Sequence, residues 1–313
     1  MQPVPGRFTA VVPVGPGRVE VERLTDLLDS LFHYEPDVAS VVIVDDERDR
    51  ISAATLTERS PRTCDVVVVP NPREPGRINR YGGLAAGVLT GFAVAFRNGG
   101  AAFVLKLDTD ALVIAPFSQR VHAAFAADPA VGQVGAYELT CSGEQLVSAG
   151  QARLVRRRAQ VVQLMPDRFG RRRPFVAASG PYAVLRRRIR QARRLGYRYG
   201  YHCQGGGFAV SGEALSRLDE AGDLADVDRW IPTDVPDDVL MTILVRAVGL
   251  RPLGLNGLGD PFGVHWRGLP FPPPELVDRG YGIVHSVKND RDVSEADVRA
   301  YFRDRRRSAV PTA

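Results

Sequence analysis

At 313 residues and 34.1 kDa, with 44% hydrophobic and 25% charged residues, the chain has the composition of a globular protein that buries a sizeable core. Its 31 glycines and 23 prolines follow no period, and no stretch holds heptads or the roughly 18 apolar residues needed to span a bilayer, so collagen, coiled coil and membrane-spanning helices are excluded. Net charge is +5 but uneven: residues 151–200 hold fifteen arginines against one acid, Asp167, so the remainder is acidic.

In chain order, apolar β-branched runs alternate with segments of helical period, which predicts an α/β fold around a largely parallel sheet. Phe8 to Val14 reads as a strand closed by Gly15, Pro16 and Gly17, and Val19 to Phe32 follows as a helix with Leu24, Leu27, Leu28 and Leu31 in step. Val41 to Val44 is a second strand ending in Asp45 and Asp46, and Val66 to Val69 a third, stopped by Pro70. A helix from about Leu84 to Arg97 leads to a fourth strand, Ala102 to Leu107, ending in Asp108, Thr109 and Asp110. Beyond residue 135 the pattern is less regular. Val134 to Leu139 is strand-like, Ala183 to Leu195 is a helix with Leu185, Ile189 and Ala192 inward, and Gly205 to Gly207 precede a helix opened by Ser211. No linker divides the chain, which predicts one composite unit over 1–313.

Cys64, Cys141 and Cys203 are too few and too scattered for a disulfide framework or a zinc site and are expected as buried thiols. The first residues lack the charged-then-apolar order of a signal peptide, so the cytoplasm is the expected compartment.

Asp108 and Asp110 end a buried strand, where α/β sheets bind ligands, and two carboxylates a residue apart suit a hard divalent cation that holds a diphosphate. If the strand persists through Asp110, alternation sets Lys106 on the same side as both acids. Alone, the tripeptide reads more simply as an ordinary polar strand end. Pro236 opens a helix whose first turn carries Asp237 and Asp238, with Leu240, Ile243, Leu244 and Ala247 marking its apolar face. Those acids fit either a proton acceptor or partners for the helix dipole. Gly205, Gly206 and Gly207 admit close backbone approach to a sugar ring or form a simple turn.

Taken in order, VPVGPG, VVIVDDE, FVLKLDTDALV, QGGGFAVSGEAL and TDVPDDVLMTILVRAVG resemble the motifs of GT-A glycosyltransferases, most closely the broad family-2-like group, over roughly residues 8–290. The acid pair departs from the usual Glu-Asp, and Glu47 stands where a small residue is common. The resemblance implies a Rossmann-like nucleotide-sugar half over 1–134 and an acceptor half over 135–313. It implies transfer of a sugar from a nucleoside diphosphate, a UDP-sugar being favoured, to an acceptor hydroxyl with inversion, using Mn2+ or Mg2+ on Asp108, Asp110 and a late histidine. His285, followed by Lys288, is preferred over His265. Donor contacts are expected from Pro13, Val14, Asp45, Asp46, Arg77, Arg80, Lys106, Asp108 and Lys288. Acceptor contacts are expected from Gly205, Gly206, Gly207 and Trp266, although packing of Trp266 with Phe262 and Phe271 is the plainer reading; Asp238, ahead of Asp237, is the expected base.

The arginine-rich stretch interleaves cations with Phe169, Phe175, Tyr182, Tyr197, Tyr199 and Tyr201. It fits a solvated face, a subunit contact in a homodimer, an anionic acceptor or a peripheral membrane contact, and less well nucleic acid. A nucleotidyltransferase is the nearest alternative enzyme, but VPVGPGRVEVER is a poor match to its glycine-rich loop.

Overall fold

Four runs of valine, isoleucine and leucine in the first 107 residues lie side by side in parallel, as a buried sheet requires of continuous apolar strands. The computed structural model describes residues 7–47, 51–73, 81–99, 101–160, 162–166, 172–176, 179–290 and 293–308, with backbone alone at 162–166 and 172–176. Arg77, Arg80 and Phe169 lie outside the described residues, as does the side chain of Phe175.

The amino half runs β1 (Phe8–Val14), α1 (Arg18–Tyr34), β2 (Ser40–Asp45), α2 (Ala53–Thr57), β3 (Asp65–Pro70), α3 (Gly82–Asn98) and β4 (Phe103–Leu107), then β5 (Leu112–Val113), α4 (Ser118–Ala127) and β6 (Val131–Gly135). There follow α5 (Ala149–Arg158), the hairpin β7 (Val162–Pro166) and β8 (Arg172–Val176), α6 (Gly180–Arg194), β9 (Gly207–Ser211) and α7 (Gly212–Glu220). A 3-10 segment, Val227–Thr233, leads to α8 (Asp237–Ala247), β10 (Arg251–Gly254), β11 (Phe262–Val264), α9 (Pro273–Asp278), β12 (Ile283–His285) and α10 (Glu295–Ser308).

The central sheet has seven strands in the order β10-β6-β9-β4-β1-β2-β3, with β9 antiparallel to both neighbours and every other pairing parallel. The expected α/β class with a mostly parallel sheet is therefore what the chain forms. Strands from both sides of residue 135 share this sheet. On one face α3, α6, α7 and α8 bury Phe92, Ile189, Leu215 and Leu244; on the other, α1 and α4 bury Leu24, Leu28 and Val121. A second sheet, β11-β12-β5, is covered by α9 and α10 through Leu276, Val284 and Phe302. Because β1, β2 and β4 run the same way, Val14, Asp45 and Leu107 end on one edge, the edge where such sheets bind ligands.

Several expectations shift. The run Val134 to Leu139 is not one strand: β6 stops at Gly135, and Glu138 adopts a φ of 64°, which breaks extended backbone. Ser211 does cap α7, accepting from Ala214 N at 3.1 Å, but Gly207 first opens β9, a strand hidden by its glycine start. Pro236 caps α8 from just outside instead of occupying its first turn. Cys64 and Cys203 are buried and Cys141 half-buried, all three as free thiols. No described helix is long and apolar enough to cross a membrane.

Candidate metal centre and acid pair

β4 carries its chain into the middle of the sheet and releases it at Leu107, so the next three residues turn over the ligand-binding edge. Alternation does not persist through Asp110 as expected. Instead the turn closes with Ala111 N donating to Asp108 O at 3.0 Å, and tertiary bonds fix each residue. Asp108 N donates to Gly206 O at 3.3 Å, the Thr109 hydroxyl donates to Glu20 of α1, and Asp110 O accepts from Val287 N at 2.9 Å. Both carboxylates still converge, held by neighbours the local pattern did not show.

His285, the last residue of β12, faces them. Its Nε2 lies 3.4 Å from Asp110 Oδ1 and 3.9 Å from Asp108 Oδ2, and its Nδ1 lies 2.8 Å from the carbonyl of His265. A carbonyl only accepts, so Nδ1 carries a proton and, in the neutral ring, Nε2 is the lone-pair nitrogen aimed at the two acids. Ligand atoms of Asp108, Asp110 and His285 all lie within 4.8 Å of one another. Two carboxylates and one oriented imidazole make a donor set that suits a hard divalent ion such as Mn2+. His265 is exposed, its ring nitrogen against Arg267 O, and it serves the cluster only through its backbone.

Charge in this corner is strongly organised. Burial pushes the Asp110 carboxyl up, but the hydrogen bond and charge of His285, with Lys288 and Ser286, outweigh it and hold Asp110 far below the ordinary aspartate range. Burial pulls the His285 ring down, and Asp110 and Asp108 more than reverse this. Ser286 Oγ donates to Asp110 Oδ2 at 2.7 Å, and the half-exposed Lys288 ammonium stands 3.2 Å from the same oxygen.

Lys106, expected as a donor contact, is turned into the acid cluster. Its side chain is 1% exposed, and Nζ sits 2.7 Å from Asp108 Oδ1, 3.2 Å from Asp237 Oδ2 and against the Gly205 carbonyl. Burial opposes the charge, yet Asp108 and Asp237 hold the ammonium well above the usual lysine value. The acids of α8 thus separate: Asp237 turns inward to Lys106, while Asp238 keeps an 18% exposed side chain beside Gly205. His202 brings Nε2 to 3.5 Å from Asp238 Oδ2.

The glycines have a packing role beyond the one expected. A Cβ on Gly206 would lie 2.1 Å from the His285 ring, so glycine there admits the imidazole. Gly205 lies against Asp238, where a Cβ would meet Oδ2 at 3.3 Å, and Gly207 belongs to β9. Trp266 is 79% exposed, which rules out the core packing read for it; Phe262 is buried and Phe271 stacks on Tyr281 instead.

At the far strands, Pro13 and Val14 are buried, with Val14 O accepting from Asp46 N at 3.1 Å. Asp45 is buried and accepts from Glu47 N at 3.0 Å, tightening its own turn. Asp46 is paired with Arg73 and accepts from Asn71 Nδ2 at 2.7 Å. In the arginine-rich region Arg188 is not on the surface: it is buried against Asp223 at 3.0 Å and donates to Ala221 O at 2.7 Å. Arg187, Arg190 and Arg194 are exposed on α6, while Arg156 and Arg193 both lie over the Tyr199 ring.

No protein-family model matches the chain, and no curated protein matches it. Among solved structures it is similar to the mannosyltransferase PcManGT from Pyrobaculum calidifontis in complex with GDP-Man and Mn2+, at 16% identity and a TM-score of 0.41, over 79% of this chain and 54% of that one. It is also similar to residues 1–349 of S. aureus TarS, at 14% identity and a TM-score of 0.39, over 80% of this chain and 58% of that one. The chain therefore spans a little over half the length of each.

Proposed function

We propose that the chain is a metal-dependent glycosyltransferase of GT-A type that moves a sugar, with inversion, from a nucleoside-diphosphate donor to an acceptor hydroxyl. The observation that carries this reading is the convergence of Asp108, Asp110 and His285 within 4.8 Å at the ligand-binding edge of a parallel sheet, with Asp238 against Gly205, whose carbonyl meets the same Lys106 ammonium as Asp108. A cation held there, Mn2+ or Mg2+, supplies charge that stabilises the departing diphosphate. Lys288, half-exposed beside Asp110, adds a second cation for the same phosphates. Asp46 and Asp45 line the nucleoside end, and a UDP-sugar is the donor favoured by the family resemblance.

Asp238 takes the proton of the acceptor hydroxyl as its oxygen bonds to the anomeric carbon and the bond from that carbon to the diphosphate oxygen breaks. Trp266, exposed on the loop that follows β11, offers an aromatic face to an acceptor sugar. α6 packs on α8, so the exposed arginines of α6 lie one helix away from the acid pair and favour an anionic acceptor.

The test is a thermal-shift screen of nucleoside diphosphates with and without Mn2+. Stabilisation that needs nucleotide and Mn2+ together supports the reading. Stabilisation by nucleic acid, with no response to any diphosphate, contradicts it.

A further inference from the structure

Of 41 lysines and arginines only Lys106 and Lys288 are lysine, and Lys106 occupies a place where a guanidinium does not serve. It lies on β4, one residue before the strand ends, with the Phe208 ring 5.8 Å from its ammonium. Three oxygens surround Nζ: Asp108 Oδ1 at 2.7 Å, Asp237 Oδ2 at 3.2 Å and the Gly205 carbonyl. An ammonium carries three donors on one atom and meets three acceptors that converge on a point. A guanidinium spreads its donors over a plane and does not.

We propose that Lys106 is a positioning residue and not a phosphate contact: by holding Asp108, Asp237 and Gly205 together it fixes the cation site at the end of β4 against the acid pair at the start of α8. This rests on the cation-site reading above and adds the physical link between its two halves. Asp108 follows a strand in the middle of the sheet, whereas Asp237 begins a helix on one face of it, so their relative placement depends on a tertiary contact. A positive charge beside the site repels a divalent ion. Geometry and charge therefore make opposite predictions for removing the lysine.

The probe is Mn2+ alone, titrated by calorimetry into the full chain as wild type, as Lys106→Met, and as Lys106→Met combined with Asp237→Asn. The double variant removes one buried cation and one buried anion, so the net charge around the site is unchanged and the pair is replaced by neutral groups of similar size, which interiors tolerate. It decides the matter if Lys106→Met alone does not fold. The expected result is a fall in Mn2+ affinity of about tenfold or more, typical of losing a group that orients a metal ligand, in each folded variant, even where the repulsion is gone. Affinity equal to or above wild type in the double variant, with lowered thermal stability only, overturns the proposal and leaves Lys106 a structural ion pair. A wild type that binds no Mn2+ overturns the cation-site reading and this proposal together, a pattern distinct from normal binding that the variants keep.

Discussion

The Arg299 guanidinium of α10 donates to the main-chain carbonyl of Thr109 at 3.3 Å, so the last described helix touches the middle residue of the Asp108–Asp110 turn from behind. Arg299 is itself clamped by Asp26 at 2.8 Å and Glu295 at 2.9 Å, and Glu295 also takes Arg23 of α1. α1 completes the brace through Glu20, which accepts from the Thr109 hydroxyl. The turn that presents both carboxylates is thus pinned on its outer side by a charged network on two helices.

This network has an acid-side signature. Burial raises the Glu295 carboxyl, but hydrogen bonds and charge from Arg23 and Arg299 outweigh it and lower the group below its ordinary value of 4.5. A carboxyl with a lowered folded value contributes stability that is complete above about 4.5 and lost as pH falls through the folded value. Melting temperatures of wild type and Glu295→Gln should therefore differ most near neutral pH and converge as pH drops below 4.5. A gap that stays constant through acid pH would assign the difference to packing instead.

Gly206→Ala tests how tightly the cluster is built. The added methyl would enter the His285 ring at 2.1 Å, so either the ring or the glycine segment must move. Far-ultraviolet circular dichroism should change little, while Mn2+ affinity falls by about ten- to a hundredfold, the range for disturbing the surroundings of a metal ligand. An unchanged affinity would place His285 outside the site.

Asp238→Asn keeps the helix start and the shape but removes the proton acceptor. Turnover should drop by about 10²- to 10⁴-fold, as for a lost general base, with donor affinity near wild type. Turnover close to wild type, or a product of retained anomeric configuration by NMR, would remove Asp238 from this role.

Much of the architecture was legible because its signals are local. β1 through β4 are largely apolar runs rich in valine, isoleucine and leucine, as strands of a mostly buried parallel sheet are. The Asp108–Asp110 motif was legible for a similar reason, since polar residues at the end of such a run can only project from the sheet edge. β9 and the short strands β10, β11 and β12 were not, being three to five residues long and, in β9, β10 and β11, carrying glycine or proline. His202 and Arg299 were also missed, because each acquires its place through a tertiary approach, to Asp238 and to Thr109, that no periodicity encodes. Lys106 was found for its rarity, and it does meet Asp108 as alternation implied, but its second partner was not legible. One side of a central strand faces the helices packed there, and only the arrival of α8 shows that the lysine ends on Asp237.

Asp110 is central to the proposed cation site: it meets His285, Ser286 and Lys288, and His285 and Lys288 hold its carboxyl well below the ordinary aspartate range. The direct measurement is calorimetric titration of a nucleoside diphosphate into wild type and Asp110→Ala, each with Mn2+ and with chelator. The account predicts tight binding only for wild type with Mn2+, and weak binding of equal strength in the other three cases. Equal, metal-independent affinity in wild type and Asp110→Ala would contradict it.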